Sequence, residues 1–388
     1  MKINYIYYHN RNFFPIHVDE IITELKKRGY EIHLFTSIKN REVKKRIYDN
    51  GIRLHNLWTT EIRFISEFIF MALLLPYLLV ESYFFKPDVF YTRHSACSLI
   101  PLLIAKLFKK PCLIEINDII QDKFKFANIS KAKKIWVKLY HFINYRLADY
   151  LLPVTDKIGE WIIDNYPVRH DQVVVCTNGV NVNRYSPKPK CEARKRYKIN
   201  ENAKVILSLG SLFPWSGIEV LIESAPKILN VFPETLFVIG SGEEPYLSNL
   251  KKIAEKNKVK GHFLFYGFVP WDEAAWFISA ADVCVFPYTL NADRTGLSSL
   301  RVFAYLSCGV PVIASDVRGL GDMLKNHEIG VSVGIKNSNE LAKAIITLMA
   351  DQNLRQKMGK KGREFVIQNF SWTLIVDKIE RLFRASIP

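Results

Sequence analysis

The 388-residue chain is short of the signatures that mark metal and redox proteins. No Asp-x-Asp pair occurs anywhere, so the acidic doublet that holds a nucleotide through a divalent cation is missing. The nine histidines show no His-Glu-x-x-His spacing, which would set two imidazoles on one helical face. No catalytic metal is therefore expected. No Gly-Lys-Ser or Gly-Lys-Thr is present, which argues against an NTPase with a Walker-type phosphate loop. The six cysteines, Cys97, Cys112, Cys176, Cys191, Cys284 and Cys308, form no Cys-x-x-Cys pair. Most stand beside apolar residues, as Cys284 does in Val-Cys-Val, so free thiols in a reducing cytosol explain them better than a disulfide framework. Solenoid-length repeats and low-complexity tracts are absent as well.

The N-terminus, Met1-Lys-Ile-Asn-Tyr-Ile-Tyr-Tyr, lacks the apolar core and small-residue cleavage site of a signal peptide. It reads as a first buried strand, and the expected location is cytoplasmic. The stretch from Phe64 to Phe85 approaches membrane length, but Glu67, Pro76 and Glu81 interrupt it. A span needs roughly 20 predominantly apolar residues with few or no charges, so a buried or membrane-surface helix is expected there.

What the chain does have is length for two domains and a formal charge of +16, from 54 Lys and Arg against 38 Asp and Glu. That field favours phosphate-bearing small molecules, anionic lipid heads or nucleic acid. The charges are dispersed and no recognition motif accompanies them, so nucleic acid is not an expected partner. Phe, Tyr and Trp are plentiful; they fill cores and also suit a membrane interface.

Strand-like runs alternate with helical ones. Lys2 to Tyr8 is followed by an amphipathic helix from Val18 to Arg28, then by Glu31 to Thr36. Further strands are expected at Val89 to Tyr91, Pro111 to Ile116, Tyr150 to Val154 and Val173 to Cys176. After Asn178-Gly179-Val180, the Pro- and charge-rich run from Tyr185 to Arg196 reads as a linker. The alternation then restarts with strands at Val205, Leu236, Phe263, Val283 and Pro311. This pattern predicts parallel sheets covered on both faces, with ligands outside the carboxyl ends of the strands.

Several polar groups fall at those ends. Strand Val205 to Leu209 runs into Gly210-Ser211, and Ile239 into Gly240-Ser241-Gly242; a glycine there lets another group approach the backbone. Thr295-Gly296-Leu297-Ser298-Ser299-Leu300-Arg301 opens a helix whose free amides suit a phosphate. Arg294 and Arg301 flank it with charge that grips phosphate in two-pronged fashion. The plainer alternative is a Ser-capped helix with solvent-facing arginines. In the first half, Glu115, Asn117 and Asp118 end one strand and Arg93-His94 the one before it; such groups can orient or deprotonate an acceptor hydroxyl. Loop capping by Asn117 and Asp118 is the plainer alternative. Lys131, Lys133, Lys134 and Lys138 lie off the face formed by Ile135, Trp136, Leu139, Phe142 and Ile143. That basic amphipathic helix suits an anionic bilayer surface, or packs on the core with a solvated lysine face.

Together these segments resemble the GT-B glycosyltransferases of the large retaining group called family 4, over nearly the whole length. The resemblance is carried by His17 to Ile32, Tyr91-Thr-Arg93-His94, Glu115-Ile-Asn117-Asp118 and Val175-Cys-Thr-Asn178-Gly179-Val180-Asn181. In the second half it is carried by Asp282-Val-Cys-Val-Phe-Pro287 and Ala304 to Asp316. It implies two Rossmann-like α/β domains facing a central cleft. Residues 1–184 would bind the acceptor and residues 185–369 a nucleotide sugar, while residues 370–388 would form a helix crossing back to the first domain. It further implies retention and domain closure, with no cofactor beyond a UDP- or GDP-sugar used as substrate. Asp118, Asn117 and His94 are the expected catalytic residues, with Arg93 and Glu115 on the acceptor side. Gly210, Ser211, Ser216, Gly240, Gly242, Arg294, Gly296, Leu297, Ser298 and Arg301 are the expected donor contacts. The acceptor would be a glycan or lipid-linked molecule of a cell-surface polysaccharide or glycoconjugate, met at the inner face of the membrane.

The chain departs from the family pattern at four positions. Ser211 and Ser216 stand where that group has a diphosphate-gripping Arg and Lys, and Gly296 and Ala304 where it has two glutamates. The Trp215-Ser216-Gly217 and Gly-Leu-Ser variants of the pattern assign the diphosphate charge to Arg301, with Arg294. The same departures motivate an alternative, a catalytically silent subunit that supports an active protein partner.

Overall fold

The computed structural model describes residues 1–8, 14–119, 130–210, 212–240, 246–290, 298–317 and 319–387. The side chains of Arg63, Phe64 and Lys133 lie outside that description. Contacts divide the chain into two units, Met1–Asn178 with Trp372–Pro388, and Gly179–Ser371.

The first unit holds strands β1 (Lys2–Tyr7), β2 (Glu31–Thr36), β3 (Arg53–Asn56), β4 (Val89–Arg93), β5 (Cys112–Ile116) and β6 (Tyr150–Pro153). Its helices are α1 (Ile16–Lys27), α2 (Arg41–Asp49), α3 (Arg63–Phe85), α4 (Leu99–Leu107), α5 (Lys131–Leu147) and α6 (Asp156–Asn165). All strand pairs are parallel, in the order β3-β2-β1-β4-β5-β6. Strands buried on both faces read as near-continuous apolar runs, as in Cys-Leu-Ile-Glu-Ile of β5, where the one charged residue, Glu115, is buried.

The second unit repeats the plan. Its strands are β7 (Lys204–Leu209), β8 (Thr235–Gly240), β9 (Phe263–Gly267), β10 (Val283–Phe286), β11 (Val312–Ser315) and β12 (Gly330–Val333). Its helices are α7 (Lys190–Arg196), α8 (Ile218–Val231), α9 (Tyr246–Lys256), α10 (Trp271–Ser279), α11 (Leu300–Ser307), α12 (Leu320–Asn326), α13 (Ser338–Ala350) and α14 (Gln352–Asn369). The order is β12-β11-β10-β7-β8-β9, again parallel throughout. In each unit the order reverses between the first and fourth strands, which places a crevice at the carboxyl ends there.

Two local expectations need correction. The run read as a linker is folded: Tyr185 is buried, and Lys190–Arg196 is α7. Arg194 drives this, because its guanidinium reaches Asp282 Oδ2 at 2.9 Å and the Ala280 carbonyl at 3.1 Å. Val173 to Cys176 is not a strand of the sheet. It makes one bridge to Leu151 and donates Val174 N–H to Leu151 O and Cys176 N–H to Pro153 O, running beside β6 without a ladder.

The last helix, α15 (Trp372–Ser386), belongs to the first unit. It buries Trp372, Ile375, Val376, Ile379 and Phe383, a helical stripe worth about 1.5–3 kcal/mol per side chain. Arg28 at the end of α1 fixes its register through Asp377 at 2.6 Å and Glu380 at 2.8 Å.

Candidate functional site

In the second unit the crevice lies between β7 and β10. Gly210 follows β7 with φ 127°, a value that L side chains rarely adopt. A Cβ built there would sit 2.4 Å from Arg301 Nε and 2.6 Å from Cζ, so the guanidinium occupies the space a side chain would need. The cause lies one turn along α11. The Tyr305 hydroxyl accepts from Leu209 N–H at 2.7 Å and donates to Leu209 O at 2.9 Å, tying the helix to the end of β7. Residues four apart share a helical face, so Arg301 is laid over Gly210. Its Cζ stands 5.3 Å from the centre of the Phe286 ring, a cation–π contact. Burial lowers the Arg301 pKa, and the fields of Tyr305 and Tyr288 oppose that shift. A guanidinium stays cationic at neutral pH regardless.

The other expected donor residues divide. Ser298 precedes α11, and Ser299 caps it, accepting from Val302 N–H at 3.3 Å. Gly240 ends β8 and accepts from Gly210 N–H at 3.0 Å; a Cβ there would meet Leu209 Cδ1 at 2.5 Å, so its smallness serves strand packing. The Ser216 hydroxyl donates to Phe213 O at 2.6 Å and is buried in its own turn, so it bonds to the loop backbone. Gly217 (φ 73°) leaves no room for a side chain, because a Cβ would fall 1.7 Å from Pro287 O. That close approach presses the loop after β7 onto the end of β10, where Thr289 N–H donates to Trp215 O at 3.0 Å. Ser211, Gly242, Arg294, Gly296 and Leu297 lie outside the described residues. Phe213, which sequence reasoning missed, stacks at 4.9 Å on Trp215 of the Trp-Ser-Gly motif, with both rings partly exposed at this edge.

A cavity of about 530 Å³ opens at the opposite, amino ends of the strands, among Lys190, Arg194, Lys204, Asp282 and Val310. Two of its cations, Lys190 and Arg194, are paired with Asp282. It is remote from the glycines and from Arg301.

In the first unit the crevice lies between β1 and β4. Arg93 Nη1 donates to His17 Nε2 at 2.8 Å and to Tyr7 Oη at 3.3 Å. Arginine only donates, so His17 Nε2 carries the lone pair and the imidazole is neutral. Its 3.6 Å approach to Glu115 Oε1 is then no ion pair. Glu115 accepts from Tyr91 Oη at 3.1 Å and from the Asn117 amide. Burial foremost, then the Glu115 charge, raises the Tyr91 pKa well above the usual phenol range. Thus Arg93, Glu115 and Asn117 come together, and the fold adds Tyr7 and His17. Only His17 carried a sequence signal, as the start of the first helix segment. His94 faces elsewhere: its backbone N–H donates to Glu115 O at 2.8 Å, while its ring packs 4.6 Å from His141 and 5.5 Å from Tyr145 of α5. Asp118 lies in the field of both groups, acting on Arg93 and on His141.

α5 docks by Tyr140, whose hydroxyl donates to the Ser95 and Ala96 carbonyls at 2.8 Å, and by Asn144, which accepts from Ser98 Oγ at 2.9 Å. Its other residues Ile135, Trp136 and Leu139 are exposed beside Lys131, Lys134 and Lys138. The neighbouring α4 exposes Leu103 and Leu107, and α3, packed on α4, exposes Phe68, Val80, Tyr83 and Phe84. Ile65–Phe85 of α3 is long and apolar enough to cross a membrane, and only 28% of its most apolar window is buried.

Two six-stranded parallel α/β units of this order define the GT-B class. Comparison with known proteins places the chain within it. The family described as Glycosyltransferase Family 4 matches residues 15–184, and Glycosyl transferases group 1 matches residues 189–365. The chain belongs to the GT-B glycosyltransferases of the family 4 type. It is 24% identical over 383 residues to an uncharacterised glycosyltransferase of Methanocaldococcus jannaschii, covering 95% of this chain and 93% of that one. It is 31% identical over 211 residues to the GDP-mannose-dependent alpha-(1-6)-phosphatidylinositol monomannoside mannosyltransferase of Mycobacterium tuberculosis. That match spans 53% of this chain and only about half, 54%, of the relative. Among solved structures, sucrose-phosphate synthase from Thermosynechococcus elongatus superposes with TM-score 0.79 at 19% identity, over 99% of this chain and 98% of that one. Anabaena HepE in complex with UDP superposes with TM-score 0.78 at 16% identity, over 99% and 100%.

Proposed function

We propose that this glycosyltransferase takes its sugar from a UDP- or GDP-sugar held at the carboxyl edge of the second unit and transfers it, with retention and without a catalytic metal, to a glycan or lipid-linked acceptor. The observation that carries the reading is the Arg301 guanidinium laid on Gly210 at the strand-order reversal, beside the start of α11. A fixed cation and helix amides in that position stabilise a leaving diphosphate as its charge develops. This assigns to Arg301 the work that the family gives to the positions of Ser211 and Ser216. UDP in the HepE complex and GDP-mannose in the name of the mycobacterial relative support a nucleoside diphosphate sugar as donor. Asp118, with Asn117 held by Glu115, is the group proposed to orient the acceptor hydroxyl.

The contiguous exposed apolar surface of α3, α4 and α5, rimmed by Lys131, Lys134 and Lys138, fits the surface of an anionic bilayer. It supports peripheral attachment in synthesis of a surface glycoconjugate, with the acceptor lipid drawn from the same bilayer.

Calorimetric titration with UDP, GDP and their sugars tests the donor assignment. One nucleotide family should bind the wild type, and binding should be lost in Arg301→Ala. A folded protein that binds neither family would instead favour a silent supporting subunit.

A further inference from the structure

Away from both crevices, three side chains converge beneath α3. His33 of β2 and His55 of β3 rise from the same face of the sheet, since β2 and β3 are in parallel register with His33 opposite Arg53 and Phe35 opposite His55. Glu81 comes down from α3. The Asn4 amide donates to Ser82 Oγ at 3.0 Å and holds that turn of the helix on the sheet. His33 Nδ1 is 3.0 Å from Glu81 Oε1 and 3.1 Å from His55 Nε2, and His55 Nε2 is 3.7 Å from the same Glu81 oxygen. Both imidazoles are held by rings: His33 stacks on Phe85, and His55 stacks on Phe35 with Tyr77 at its edge.

We infer that His33, His55 and Glu81 form a binding site for a zinc-class divalent cation, which clamps α3 onto β2 and β3. Three donor atoms around a tetrahedral ion about 2.1 Å away stand roughly 3.4 Å apart, and the observed separations bracket that value. Hydrogen bonding accounts for the cluster less well. His33 Nδ1 either donates or accepts, so a single proton must serve both its carboxylate and its imidazole neighbour. One cation satisfies all three lone pairs at once. Two imidazoles and a carboxylate suit zinc, cobalt, nickel or iron rather than magnesium or calcium.

The imidazoles are ready to ligate. Both rings are buried, and burial favours the neutral imidazole that ligates a metal. The opposing charge is Arg53, 3.8 Å from Glu81 Oε1. Its side chain is 67% exposed and free to turn into solvent, which also opens an entry path on the side of Glu81. A water would complete the coordination. The ligands come from positions 33, 55 and 81, a spacing that no local motif encodes.

The test uses the full untagged chain, stripped with a chelator and titrated with cobalt and with zinc. One equivalent of cobalt should give the strong visible bands of a four-coordinate ion, zinc should displace it, and zinc should raise the Tm. His55→Gln and Glu81→Gln should each weaken binding at least a hundredfold, with circular dichroism confirming the fold. His170→Gln, at an exposed histidine, should bind as the wild type does. Arg53→Gln, which removes the cation beside Glu81 and leaves all three ligands in place, should bind severalfold more tightly. Failure of the wild type to bind one equivalent, or unchanged binding in Glu81→Gln or Arg53→Gln, overturns the inference.

Discussion

Replacing Gly210 by alanine isolates the contact on which the proposed donor site is built. The new Cβ would lie 2.4 Å from Arg301 Nε and 2.7 Å from Nη2, which no real pair tolerates. The atoms it meets are the tip of a flexible side chain, so the guanidinium moves and the strand stays. Two effects then separate. The φ of 127° strains an alanine by about 1–3 kcal/mol, which lowers the Tm. Displacing the cation would remove the charged hydrogen bond proposed to the diphosphate, worth about 1.5–3 kcal/mol, or roughly 10- to 200-fold in affinity. Calorimetry on Gly210→Ala, Arg301→Ala and the double variant measures the coupling between them. Each single variant should weaken nucleotide binding by that factor, and the double variant should bind no worse than Arg301→Ala. Additive losses would show that Gly210 and Arg301 act independently and would refute the reasoning. So would full affinity in Gly210→Ala.

Other consequences follow from neighbouring contacts. Ser216→Ala removes the hydroxyl bond to Phe213 O and should cost about 1 kcal/mol in urea unfolding, while nucleotide affinity stays within about twofold. Lys134→Gln with Lys138→Gln should weaken sedimentation with anionic phospholipid vesicles roughly thirtyfold, at about 1 kcal/mol per lysine, and leave the Tm unchanged. His141 is held neutral, its pKa lowered to about 4 by burial against the opposing charge of Asp118. The unfolded chain binds that proton near pH 6.5 and the folded one only near 4, so stability should fall by up to about 3 kcal/mol between those values. His141→Gln should flatten that part of the stability profile measured by urea titration.

The two-unit plan was legible because the central strands are continuous apolar runs at βαβ spacing. Edge strands were less so: Arg53–Asn56 is short and polar at three of its four positions, and Gly330–Val333 begins with a glycine and carries a serine. Proline and lysine density made residues 185–196 look like a linker, because the buried pairing of Arg194 with Asp282 spans 88 residues. The glycines and Arg301 were visible as separate motifs. Their contact was not, since it depends on Tyr305 anchoring α11 to Leu209. Tyr7 joined the Arg93 cluster through the pairing of β1 with β4, and His17 through the start of α1. Local periodicity reports elements; convergent side chains are reported by the sheet order that assembles them.

The most direct test of the account is turnover: release of nucleoside diphosphate from UDP- and GDP-sugars by the full chain on vesicles containing a lipid-linked acceptor. The account predicts nucleoside diphosphate release with one nucleotide family, stoichiometric sugar transfer to the acceptor, and loss of both in Asp118→Ala with the fold and nucleotide affinity retained. Unchanged turnover in Asp118→Ala would remove it from the mechanism, and tight nucleotide binding with no transfer to any acceptor would contradict the central claim.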